Sequence, residues 1–121
     1  MVKALFDTNI LVDHLNGVPE ARAEFGRYTD KAISIITWME VMIGAHRDLE
    51  APTRSFLNGF NVIAVDTDIA ERAVQLRRSL RVKLPDAIIW ATAQAGAMLF
   101  VTCDVKDFRA DDPGVRVPYK L

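Results

Sequence analysis

The chain has 121 residues, 50% of them hydrophobic and 26% charged, with a formal net charge of -1. A chain of this size and balance buries about two-thirds of its unfolded surface in one globular domain, here residues 1–121, which excludes disordered and fibrous classes. Near-neutral charge gives no global attraction to nucleic acid or anionic membrane, so a polyanionic partner must be met by a local basic patch or by metal ions.

The lone Cys103 excludes an intrachain disulfide and fits a reducing cytoplasm. Apolar runs are short and interrupted by charges such as Asp7 and Asp13, so neither a signal peptide nor a membrane span is expected.

In chain order, residues 2–6 form a short apolar strand and residues 9–15 a helix that stops at Asn16-Gly17. Pro19-Glu20 opens a second helix running to about Tyr28. Residues 32–36 are a second strand, Thr37 caps a helix over residues 38–45, and a further helix spans 52–57 before Gly59. Residues 61–65 are strand-like, and Asp68 starts an amphipathic helix with Ile69, Ala73, Leu76 and Leu80 on one side. Pro85 begins a helix over 86–95, closed by Gly96; residues 98–102 are the fourth strand, 104–108 a tight turn, and 115–117 a last short strand. Strands that are apolar throughout, alternating with helices, indicate an α/β fold with a parallel sheet covered on both faces.

Open parallel sheets bind ligands beyond the carboxyl ends of their strands, where strand order reverses. Asp7 directly follows the first strand and Asp104 the fourth, Asp86 lies in the first turn of the helix leading into the fourth, and Glu40 lies in the helix after the second. Each has a local alternative. Asp7 can cap the helix that follows it, and Glu40 completes Thr37-x-x-Glu40, the pattern of a capping box. Asp86 suits a helix N-terminus and Asp104 a turn, with or without a function.

Together, four carboxylates at one sheet end would repel one another and raise each other's pKa unless cations compensate. The hard oxygen set fits Mg2+ or Mn2+. Zinc does not fit, because Cys103, His14 and His46 show no ligand spacing, and both histidines read as helix-surface residues. No Ser-His-Asp arrangement, glycine-rich phosphate loop or dinucleotide fingerprint occurs. Arg77, Arg78, Arg81 and Lys83, just upstream of Asp86, are candidates for contacts to an RNA backbone; their alternative is a solvated helix face and loop.

Four segments, LFDTNILVDHL, SIITWMEVMIGA, LPDAIIWATAQAGA and VTCDVKDF, follow one another as in PIN-domain ribonucleases, and the short chain resembles the VapC-type toxins of toxin–antitoxin pairs. The resemblance implies a three-layer α/β/α fold with strand order 3-2-1-4-5, an acidic metal set of Asp7, Glu40, Asp86 and Asp104, and an auxiliary Asp107. Thr8, Asn9 and Thr102 would then hold the site by hydrogen bonds. That order sets Asp7 beside Asp104 and leaves Asp66 and Asp68 remote, as helix-capping residues. The family further implies Mg2+- or Mn2+-dependent RNA cleavage, a cognate antitoxin that blocks the site, and a homodimer. Two other functions compete. A phosphatase can carry an Asp after its first strand, with a second Asp two residues on, where this chain has Asn9. A non-catalytic RNA- or protein-binding module would use metal for stability alone.

Overall fold

The computed structural model describes residues 2–106, 108 and 111–121. Strand β1 (Lys3–Phe6) lies at the centre of a five-stranded sheet of order β3-β2-β1-β4-β5, and every pairing is parallel. It is followed by α1 (Thr8–Leu15) and α2 (Pro19–Phe25), then β2 (Asp30–Ser34), α3 (Ile35–Gly44), a 3-10 turn (Arg47–Leu49) and α4 (Glu50–Leu57). The second half adds β3 (Asn61–Ile63), α5 (Thr67–Leu80), α6 (Leu84–Ala95), β4 (Leu99–Val101) and β5 (Val115–Arg116). The expected α/β/α layering with strand order 3-2-1-4-5 is the observed one. Among the described residues, no helix is long and apolar enough to cross a membrane.

Successive residues of a strand point to opposite faces, which is why these strands are apolar throughout. Ala4, Phe6, Ile33 and Val101 face a core built with Ile10, Leu11, Phe25 and Leu57. Leu5, Ala32, Phe100 and Val115 face the other way, toward Ile89, Trp90 and Ala93 of α6. Phe6 meets Phe25, Phe60 and Tyr28 edge-to-face, with ring centroids 4.9, 6.1 and 5.7 Å apart, the arrangement that the ring quadrupole favours.

Most elements begin or end one to three residues from expectation, and at two helix starts the shift decides which residue caps the helix. Strand β2 ends at Ser34, and it is the Ser34 hydroxyl, accepting from the Ile36 N–H at 3.0 Å, that caps α3. Thr37 therefore lies inside the helix, fully buried, and no capping box forms. At the other, α5 begins at Thr67, one residue before Asp68, and of the two expected capping residues it is Asp66 that takes the cap, accepting from the Ile69 N–H at 2.8 Å.

A buried ion pair fastens the edge of the sheet. Glu24 on α2 is 4% exposed and accepts two hydrogen bonds from the Arg116 guanidinium on β5, at 2.7 and 3.0 Å, and one from the Tyr28 hydroxyl at 2.9 Å. Burial alone would raise its pKa, but the Arg116 and Tyr28 hydrogen bonds outweigh it and hold the carboxyl below its ordinary value. Removing the guanidinium would leave a buried carboxylate poorly compensated. Arg116→Ala should therefore cost about 2–3 kcal/mol by urea unfolding at pH 7, whereas Arg54→Ala, which breaks an exposed pair with Glu50, should cost under about 0.5 kcal/mol.

Candidate active site

The ladder between β1 and β4 continues one residue past Phe6, because the Asp7 N–H donates to the Val101 carbonyl at 2.9 Å. That bond brings Asp7 beside Thr102, at the carboxyl ends of two adjacent strands on either side of the order reversal. Asp7 is 4% exposed and occupies the N-cap of α1.

Its carboxylate receives three hydrogen bonds. The Thr8 N–H donates to Oδ1 at 2.8 Å, while the Thr102 hydroxyl and the Asn9 amide donate to Oδ2 at 2.7 and 3.1 Å. A carboxylate offers about four lone-pair directions, so Oδ1 keeps the capacity to meet a ligand while it caps the helix. Burial is the largest influence on its pKa and raises it. The bonds from Thr102 and Thr8 pull it down, the nearby charges of Asp86 and Asp104 push it up, and the outcome is a carboxyl pushed up to about 7.

Around this residue the loop after β4 is laced to the start of α1. The Asn9 amide group reaches the Thr102 hydroxyl at 3.3 Å and its carbonyl accepts from the Cys103 N–H at 3.3 Å. The Asp104 N–H donates to the Thr102 hydroxyl at 3.0 Å, and the Lys106 N–H closes an Asx turn on Asp104 Oδ1 at 3.0 Å. Glu40 enters from α3. The Thr8 hydroxyl donates to its Oε1 at 2.7 Å and lies 3.0 Å from the Thr37 hydroxyl. Glu40 is thus exposed and joined to the Asp7 turn through Thr8.

Asp7, Glu40 and Asp104, with Thr8, Asn9 and Thr102, accordingly form one linked set, and Asp86, half-buried in the first turn of α6, reaches Asp7 through its field. Asp107 lies outside the described residues. Thr37 is a member that the sequence does not mark, since Thr37-x-x-Glu40 has the pattern of a capping box. Its spacing from Glu40, three residues along a helix, does place both on one face.

The remaining candidates lie on or near the connection between α5 and α6. The Arg77 guanidinium donates to the Val82 carbonyl at 3.1 Å, Arg78 is exposed in the last turn of α5, Arg81 ends that helix in a left-handed conformation (φ 57°), and Lys83 stands at the N-cap of α6. The histidines are engaged elsewhere. His14 stacks on Phe56 with centroids 4.8 Å apart, and His46 caps the 3-10 turn. A surface depression runs along α5 from Thr67 to Leu80, and none of the four carboxylates lines it.

Among the described residues no three of His, Cys, Asp and Glu form a ready-made metal cage. Mg2+ does not require one, because it keeps several waters and binds through one or two carboxylates and the phosphates of its substrate. The donors here are hard oxygens, and a divalent cation would offset the charge that Asp86 and Asp104 impose on Asp7. The residues fit such an ion.

The PIN domain family model matches residues 4–111. A search of curated proteins returned no match. Among solved structures, a chain of a toxin–antitoxin complex from Klebsiella pneumoniae is 49% identical, with a TM-score of 0.93 over 98% of this chain and 100% of that one. A chain of a DNA-bound VapBC from Salmonella typhimurium is 29% identical, with a TM-score of 0.80 over 96% of each chain.

The raised pKa of Asp7 fixes the sign of a pH dependence. A folded-state value of about 7 against the ordinary 3.8 means that its contribution to stability is full below about pH 4 and is lost as pH rises to about 7. In metal-free buffer, urea unfolding should show the parent losing about 2–3 kcal/mol between pH 5 and pH 8 relative to Asp7→Asn. Equal slopes for the two proteins would remove the buried-carboxylate account.

Proposed function

Since the chain belongs to the PIN-domain family, we propose that it is a VapC-type toxin, a Mg2+- or Mn2+-dependent endoribonuclease held inactive by a cognate antitoxin in the cytoplasm. The observation that carries this reading is the Asp7 carboxylate, buried at the end of the central strand and held by three donors in the field of two further acids. A helix cap alone needs neither the burial nor the acidic neighbours. The likeness to toxin–antitoxin chains supports the partner, and the fold's fit to them supports the class.

RNA hydrolysis needs a deprotonated water and relief of the charge that builds on the phosphoryl oxygens and the leaving 3′ oxygen. Asp7 and Asp86 would hold the principal ion, with Glu40 and Asp104 completing the set or orienting the attacking water. When bound, the divalent cation supplies an acidified water and charge compensation at the phosphate. The chain's own contribution is rigidity. Thr102 and Asn9 fix Oδ2 of Asp7, Thr8 fixes Oε1 of Glu40, and the backbone amide of Asp104 is tied to Thr102.

Arg77, Arg78, Arg81 and Lys83 would meet the phosphate backbone from the α5–α6 side, with Arg81 and Lys83 five and three residues ahead of Asp86. The bond from Arg77 to Val82 leaves most of its N–H donors for such contacts. Asn9 speaks against the phosphatase reading, since its side-chain amide donates to Asp7 where that chemistry places a second acid. Homodimerisation belongs to the same proposal.

Purified without an antitoxin, the chain should cleave RNA with Mg2+ or Mn2+, and Asp7→Asn should slow cleavage by about 10²–10³-fold while weakening the rise in melting temperature on adding Mn2+. Asp66→Ala, at the N-cap of α5, should cost about 1 kcal/mol and leave cleavage unchanged. No cleavage by the parent under either metal would favour a non-catalytic binding module.

A further inference from the structure

Asn9 and Asp13 are four residues apart on α1 and therefore share one face of that helix. Asn9 holds the loop after β4, through the Cys103 N–H. Asp13 holds the segment that follows β5, because the Tyr119 hydroxyl donates to Asp13 Oδ2 at 2.8 Å. The same Tyr119 accepts, at its backbone carbonyl, the Cys103 thiol at 3.5 Å. Cys103 is thus gripped from both sides, and the contacts close a circuit from Asn9 through Cys103 and Tyr119 to Asp13. Thr102 and Asp104, the neighbours of Cys103, are the loop's members of the acidic site.

We propose that Tyr119 is a positioning residue: the segment after β5 acts as a strap that holds the 102–104 loop in register with Asp7. The inference rests on the nuclease reading for its consequence and on contacts alone for its geometry. A thiol is a weak donor, so the phenol-to-carboxylate bond, which is charge-assisted, is the strong member of the strap. Burial and the bond to Asp13 hold the phenol well above its ordinary pKa, and it remains a donor throughout the working range of pH. The ring itself packs beside the core cluster that contains Ile10 and Val101, so Tyr119→Phe removes the strap's bond and keeps its packing.

In Tyr119→Phe, amide exchange at Cys103 and Asp104 and alkylation of Cys103, the chain's single cysteine, should accelerate about tenfold well below the melting temperature. The Mn2+ concentration at half-maximal stabilisation should rise about 10–100-fold. Asp13→Ala should do the same, whereas Asp13→Asn, which keeps an acceptor oxygen but loses the charge, should fall between the parent and Asp13→Ala. Unchanged exchange overturns the strap, and so does faster exchange with an unmoved Mn2+ midpoint. If the parent shows no response to Mn2+, the nuclease reading falls, and the exchange rates alone decide the strap: acceleration supports it and parental rates overturn it.

Discussion

Burying the Asp7 carboxylate is the constraint on which the rest of the site depends. A buried charge without partners is costly, and this one sits where the first turn of α1 supplies two donors and the loop after β4 a third. The parallel pairing of β1 with β4 makes that possible, since it sets Thr102 beside a residue 95 positions away. The strands themselves end on Phe6 and Val101, which offer no donor side chain. The polar groups gather only where the apolar sheet ends.

The cap and the proposed ligand readings of Asp7 are therefore compatible, because Oδ1 accepts a single bond and keeps capacity beyond it. Oδ1 satisfies the first turn of α1, and Oδ2 is pinned by Thr102 and Asn9. Glu40 is different. Its reading as part of a capping box fails, because the helix starts at Ile35 and Ser34 takes the cap. Its bond to Thr8 connects α3 to the site instead.

Much of the fold was legible because its signals are local. The unbroken apolar strands, Asn16-Gly17 after the first helix, Pro19 and Pro85 near helix starts, and Gly96 after α6 each carry their meaning within a few residues. The cap of α3 was misplaced because the run SIITWME offers Ser34 and Thr37 at similar positions, and the choice is made by the pairing of Ser34 with Ile63 on β3. The acids of the site were visible as residues that interrupt apolar runs. Thr37 was not, since a buried threonine in a helix looks like any other small core residue until Thr8 is seen beside it. The pair of Glu24 with Arg116 spans 92 residues and leaves no local mark at all.

The bond between Asp13 and Tyr119 joins positions 106 apart, and that distance has a meaning in time as well as in space. At the pace of translation, about 5–20 residues per second, the partner of Asp13 emerges about 5–20 s after it. Through that interval α1 can form and Asp7 can cap it, but the loop after β4 and the segment that grips it are still being made. The acids of the centre are thus assembled in the order of the chain, and their alignment is completed by residues synthesised after all four of them.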